Sequence, residues 1–340
     1  MRSDILIVVA AVVTACLYLL LGLPIVSPQQ LFSERIINAL SMYFYALPVM
    51  FLLFRLRDIR KALRGKTTIC WKETVVDFHR QFLSVKNIFI DLKLIFSVVV
   101  LFVLVIYLRH LIPFINERIY DQWLDYGESL LFGTTLAEKL VTSFDSKFAY
   151  WYAQSYFLYY PYMSLLLFFF IMQRNRHAAE AFFLGFYLLW FIGLGLTYLL
   201  PTLGPCYMNP DLFLSLPKNA VTDMQNTLWQ MRELVISGAD MRQGVNLITA
   251  FPSLHVAVLT WGSLCLNRYS NILGVISWFC WVLTMFSTLY FGWHYLIDNL
   301  VAVIMAATLY RLGFARVKLN QPKKISRGED YLKRMTEFFS

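Results

Sequence analysis

Long apolar runs alternate with polar stretches along the chain. Runs over residues 5–23, 36–54, 92–109, 155–172, 181–200, 253–267, 271–290 and 294–313 are each close to the length a helix needs to cross a bilayer, about 20 residues. They predict eight transmembrane helices. A membrane β-barrel would instead show alternating segments of about 10 residues, and the chain has no such pattern. The expected fold class is therefore all-α and polytopic. Arg2 precedes the first run, and Val13-Thr14-Ala15-Cys16 resembles a lipoprotein cleavage box. The apolar run continues through Leu17 to Leu23, longer than a signal core, so a membrane span rather than a cleaved leader is expected.

The polar stretches set the orientation. Residues 55–91 carry Arg55, Arg57, Arg60, Lys61, Arg64, Lys66, Lys72, Arg80 and Lys86. Within them, 72–90 reads either as an interfacial helix, through Val75, Val76, Phe82 and Leu83, or as a solvated connecting helix. Arg174, Arg176 and His177 separate the fourth and fifth spans, Arg268 follows the sixth, and the tail holds Arg311, Arg316, Lys318, Lys323, Lys324, Arg327, Lys333 and Arg334. With eight spans, all these cations fall on the side of both termini. Loops 24–35, 110–154 and 201–251 fall on the other side with far fewer cations per residue. The positive-inside rule then predicts cytoplasmic termini. Loop 110–154, with Gly127, Gly133 and Thr134-Thr135, mixes apolar and polar residues and is expected to hold short interfacial helices. Loop 201–251 is rich in turn residues: Pro201, Gly204, Pro205, Pro210 and Pro217. No internal repeat interrupts the chain. It divides into an N-terminal transmembrane pair with its basic loop (1–91), a membrane domain carrying the chemistry (92–313) and a basic tail (314–340).

Composition agrees with this picture. Of 340 residues, 59% are hydrophobic and 15% charged, against about 25% charged in soluble domains, and the mean hydropathy is +0.57. The net charge of +9 is explained by the topogenic loops, so no nucleic-acid partner is expected. Cys16, Cys70, Cys206, Cys265 and Cys280 form neither a CxxC pair nor a zinc spacing, and only Cys206 lies in a loop placed outside the cytoplasm, so no disulfide framework is implied.

The chemistry concentrates in residues 251–298. His255 and His294 are 39 residues apart. At about 1.5 Å per residue and about 30 Å of bilayer, that separation is one crossing down and one back. Both histidines should therefore meet at the non-cytoplasmic surface. His294 and Asp298 are four apart at the start of the last span, on one helical face. An aspartate there can accept a hydrogen bond from one imidazole nitrogen and leave the other as a nucleophile; an ordinary interfacial pair is the plainer alternative. Pro252 suits a first helical turn, whose unpaired N–H groups attract an anion. Ser253 adds a hydroxyl donor, and His255 in the first turn is placed to hand a proton to a leaving oxygen. A contrasting reading makes His255, His294 and Asp298 the proton relay of a transporter. Relays lie near the bilayer midplane, whereas these residues map to one surface.

Pro252-Ser253-Leu254-His255 and Ser287-Thr288, five residues, His294, three residues, Asp298 resemble the second and third motifs of the type 2 phosphatidic acid phosphatase superfamily. The resemblance implies a six-helix phosphatase-like core, metal-free and cofactor-free catalysis, His294 as the nucleophile of a phosphohistidine intermediate, Asp298 as its orienting partner and His255 as general acid. The implied partners are a lipid from the membrane and a hydroxyl acceptor or water. Two features depart from the family. Its first motif is absent, since the chain contains no Arg-Pro, and Thr288 replaces the third-motif arginine. With Phe251, Tyr290 and the segment Pro201-Thr202-Leu203-Gly204-Pro205-Cys206-Tyr207, these departures resemble the inositol phosphorylceramide synthase branch, whose members transfer a phosphorylated head group between lipids. A cation should still meet the phosphate, because its developing charge is stabilised electrostatically. Arg242 is the expected phosphate-binding cation, with Lys147 and Lys218 as weaker candidates. The aromatic run from Tyr150 to Tyr162 is expected to pack and to sit at the interface.

Overall fold

The computed structural model describes residues 2–24, isolated positions between 36 and 51, and 75–318 apart from Asp77, Arg174 and 240–246. Among these residues the chain is helical, with no strand. Its helices of eight or more residues are α1 (Arg2–Leu21), α2 (Val85–Ile115), α3 (Asp121–Phe132), α4 (Leu136–Ser143), α5 (Ala149–Phe157), α6 (Tyr159–Ile171), α7 (Arg176–Leu199), α8 (Ala220–Ile236), α9 (Leu254–Asn267), α10 (Asn271–Tyr290) and α11 (Leu296–Leu312). Five described segments are long and apolar enough to cross a membrane: Ser3–Leu21, Val85–Ile115, Arg176–Leu199, Asn271–Tyr290 and Leu296–Arg316. The chain is an all-α polytopic membrane protein.

Several boundaries differ from those expected. Most of the run 36–54, most of the basic loop after it, Arg242 and the tail beyond Lys318 lie outside the described residues. The third run begins at Val85 rather than 92, after a π-helical turn at His79–Leu83. The charges that seemed to delimit it are absorbed, because buried Asp91 pairs with Arg176 at 3.2 Å and Lys93 pairs with Asp4 at 2.7 Å. The fourth run is broken between α5 and α6 at Leu158. Pro161 supplies no N–H for the carbonyl four residues back, which is Phe157 at the end of α5. The sixth, α9, has 14 residues and so is about 21 Å long.

The bundle has two distinct ends. One collects the Asp4–Lys93 and Asp91–Arg176 pairs, and there Arg268 donates to the carbonyls of Phe314, Ala315 and Val317 at 2.6–2.9 Å. The other collects the C-termini of α2, α7 and α10 and the N-termini of α9 and α11. Lipid offers helices no hydrophobic drive to associate, so close packing and interhelical hydrogen bonds must hold them together. The Phe170 and Phe182 rings stack at 3.6 Å, and fully buried Trp261 of α9 lies against Gly185 of α7. Below the second end, Ser277 of α10 bonds Tyr162 of α6 at 2.6 Å and Ser263 of α9 at 2.7 Å, and the Trp281 indole donates to Thr260 at 2.9 Å. These contacts fix α6, α9 and α10 relative to one another beneath the two histidines.

Candidate active site

Both motif segments sit at helix starts, and the local sequence explains why. Ser253 caps α9, its hydroxyl oxygen accepting from the Val256 N–H at 3.4 Å, and this puts His255 in the first turn. α10 stops at Tyr290, the chain reverses through Gly292 at φ +65°, and Tyr295 precedes α11. The Tyr295 N–H donates to Asp298 Oδ2 at 2.9 Å, so Asp298 satisfies one of the amides that a helix start leaves unpaired. The Ser253 N–H donates to the Asp298 carbonyl at 3.2 Å, tying the two motifs together through the backbone.

The expected meeting of the histidines is present. His294 Nε2 lies 3.5 Å from His255 Nδ1, and His294 Nδ1 lies 3.5 Å from Asp298 Oδ2. His294 and Asp298 are both closed off from solvent. Burial pushes the His294 imidazolium down to about 3, against a smaller opposite pull from the Ala250 carbonyl. The ring is therefore neutral at neutral pH. With its proton assigned to Nδ1, facing Asp298, its lone pair lies on Nε2, facing His255. His255 Nε2 is 3.4 Å from the Tyr156 hydroxyl, and the Tyr159 ring stands nearly edge-on to His255 at 4.6 Å between centroids.

The two histidines open into a cavity of about 340 Å³. Its polar wall also holds Arg109, Tyr156, Tyr159 and Tyr160, and its apolar wall includes Phe102, Ile106, Met163 and Trp190. Met224 and Leu228 of α8 also line it. Such a cavity can hold an anionic group against the imidazoles and hydrocarbon beside it.

Three further segments brace the site. Buried Asp121 of α3 accepts from the Leu203 and Gly204 N–H groups at 2.8 and 2.7 Å. Buried Glu128, two turns along the same face, accepts from Leu136 at 2.8 Å and from the Leu296 N–H at the start of α11. Burial pushes both carboxyls up, while these amide hydrogen bonds pull them down. Gly204, at φ +103°, lies against Trp293, and the Cys206 N–H donates to the Gly292 carbonyl at 2.9 Å. Thr202 holds the other motif: its carbonyl accepts from Ala250 at 2.9 Å and its hydroxyl oxygen from Phe251 at 2.8 Å. The segment 201–206 thus buttresses both histidine-bearing strands of chain.

The expected phosphate-binding residues fare differently. Ser253 is fully buried as a helix cap and is not among the residues lining the cavity. Arg242 lies outside the described residues. Lys147 and Lys218 are 87% and 84% exposed and sit beside Asp145 and Asp223. Among the described residues the cation in the cavity is Arg109, which the hydropathy pattern had placed only at the edge of a span. The available signal was an arginine within an apolar run, where an ionisable residue needs a reason. The aromatic run divides: Tyr150 and Trp151 are exposed, whereas Tyr156, Tyr159 and Tyr160 line the cavity, a role that packing periodicity did not reveal.

An all-helical membrane fold with a His–His–Asp cluster at one end of its bundle defines the class of this protein. Residues 124–312, more than half of the chain, match the profile of the PAP2 superfamily, and the chain belongs to that superfamily. Searches of curated proteins and of solved structures gave no match.

Proposed function

We propose that the protein is a lipid phosphotransferase that moves a phosphoryl-linked head group from a phospholipid to a hydroxyl acceptor. PAP2 superfamily membership supports a phosphatase- or phosphotransferase-type function on lipids. The observation that carries the mechanism is the chain from Asp298 Oδ2 to His294 Nδ1 and from His294 Nε2 to His255 Nδ1, both contacts 3.5 Å, opening on the cavity. Neutral His294 attacks phosphorus through Nε2. The new P–N bond replaces the P–O bond to the lipid, and His255, taking up a proton from solvent as the anionic phosphate binds beside it, gives that proton to the leaving oxygen. Asp298 stabilises the positive charge on the His294 ring. In the second half the acceptor hydroxyl loses its proton to His255, its oxygen bonds phosphorus, the P–N bond breaks, and both histidines return to their starting forms.

Transfer is favoured over hydrolysis by the residues that are missing. The chain has no Arg-Pro, and Thr288, in place of the family's arginine, turns its hydroxyl back to the Met285 carbonyl at 2.9 Å. A site at the non-cytoplasmic face with cytoplasmic termini is the orientation the cation bias supports, since the described basic pairs lie at the end away from the histidines. The proton-relay alternative is disfavoured because all three residues lie at helix starts or in the loop before one, not in mid-helix. The test is turnover of purified protein against a panel of phospholipids with a long-chain alcohol or ceramide acceptor. Head-group transfer exceeding free phosphate release is expected. Phosphate release alone would make the protein a lipid phosphatase.

A further inference from the structure

Arg109 sits in α2, outside the stretch that matches the superfamily profile, and the motifs give it no role. It is six residues from the end of the helix, about 9 Å, on the wall of the cavity that holds both histidines. Its Nε is closed off from solvent and has no hydrogen-bond partner, and among the described residues no carboxylate pairs with it. An unpaired charge in an apolar interior is strongly unfavourable unless something compensates it. The acids nearest the site are engaged elsewhere, Asp121 by the 203–204 amides and Asp298 by the Tyr295 N–H. The compensating charge must therefore come with the ligand. A guanidinium suits a phosphate, because its fork of N–H groups can reach two non-bridging oxygens at once.

We propose that Arg109 holds the phosphate of the substrate and that, as the cation lining the cavity among the described residues, it selects a singly charged phosphodiester over a doubly charged phosphomonoester. This rests on the phosphoryl-transfer reading above and names its substrate class. The charges support it. Facing the cavity, Arg109 carries one positive charge and neutral His294 none, so the single negative charge of a phosphodiester is matched by the guanidinium. A monoester, whose second proton leaves at about pH 6, would bring an additional negative charge with no partner into a site of low polarity. The apolar wall formed by Phe102, Ile106, Met163 and Trp190 extends along α2 from Arg109 and offers a place for the hydrocarbon attached to that phosphate.

The test is equilibrium binding of dihexyl phosphate and hexyl phosphate at pH 8, read by calorimetry on the full chain in nanodiscs. The wild-type protein is expected to bind the diester at least about tenfold more tightly. Arg109→Met should weaken diester binding by about 100-fold, the loss of one or two charge-assisted hydrogen bonds. The same variant should melt at a higher temperature without ligand, since it removes a buried unpaired charge; a merely structural arginine would lower it. Arg109→Lys, which keeps the charge but loses the fork, should bind about tenfold more weakly than wild type. The proposal is overturned if either Arg109 variant binds the diester within threefold of wild type, if wild type binds the monoester as tightly, or if Arg242→Ala and not Arg109→Met loses binding. Binding is read without turnover, so diester binding through Arg109 in a protein that transfers no head group would sink the transfer reading alone.

Discussion

Gly204→Ala tests whether the segment 201–206 sets the position of the loop that carries His294. Gly204 has φ +103° and ψ 158°, a backbone region essentially reserved for glycine. A Cβ built there would lie 2.5 Å from the Trp293 carbonyl oxygen and 3.0 Å from that of Gly292. Both neighbours are backbone atoms, so no rotamer change relieves them. The conformational penalty is about 1–3 kcal/mol and the overpacking about 1–3 kcal/mol. The sum, about 2–6 kcal/mol, is a large part of a typical folding free energy. If the loop yields instead, the Trp293 carbonyl must retreat by nearly 1 Å to reach ordinary contact, and His294 follows it directly in the chain. A displacement of about 1 Å at a reacting group costs about 100-fold in rate. The assay is lipid turnover and thermal melting in one detergent, with Gly127→Ala as control, since a Cβ at Gly127 meets nothing within 4 Å and α3 gains a better helix former there. Gly204→Ala should lose both stability and about two orders of magnitude in turnover, while Gly127→Ala loses neither. A Gly204→Ala protein with wild-type melting and turnover would refute the buttress.

Other residues give separate tests. Asp298→Asn leaves the space filled but removes the charge that orients and stabilises His294, so turnover should fall about 10³–10⁴-fold, measured as kcat with the protein still folded. Glu128→Ala strands the Leu136 and Leu296 N–H groups, each worth about 1–3 kcal/mol when left unpaired. The melting temperature should fall, and kcat should fall more than KM rises, because the Tyr295–Asp298 cap loses its brace. Stability should also depend on pH through His294. Its folded-state value near 3 lies below the ordinary 6.5, so below pH 6.5 the unfolded chain takes up a proton that the folded one does not. Stability is therefore lost as pH falls, by about 2 kcal/mol at pH 5 relative to neutrality. Melting curves from pH 7.5 to 5 should show a slope at least this steep, and His294→Asn should make it shallower by His294's share.

Much of the site was legible because its parts are local in sequence. Pro252, Ser253 and His255 mark a helix start, and the length of an apolar hairpin brings them to the His294–Asp298 pair; the helical face expected to hold that pair is not formed, because His294 lies in the loop two residues before α11 and meets Asp298 from there. What stayed hidden depends on long-range contact. Arg109 is separated from His294 by most of the chain, and only the folded bundle puts it in their cavity. Asp121 and Glu128 lie in the mixed apolar and polar loop 110–154, where no motif marks them, yet α3 turns them inward and exposes Trp123 and Leu131. The span boundaries shifted for a related reason: hydropathy counts Asp91 as a stop, whereas Arg176 pairs with it inside the bundle. The break at Leu158 had a local signal in Pro161, which an apolar run alone does not weigh.

The central claim is that His294 forms the covalent bond to phosphorus. The direct measurement is mass spectrometry of protein quenched in acid-free denaturant during turnover of a phospholipid donor, with the acceptor withheld. A phosphoryl-linked head group on His294, present in wild type, absent in His294→Ala and discharged when acceptor is added, is the predicted result. Turnover at the wild-type rate by His294→Ala, or the adduct on His255 instead, would contradict it.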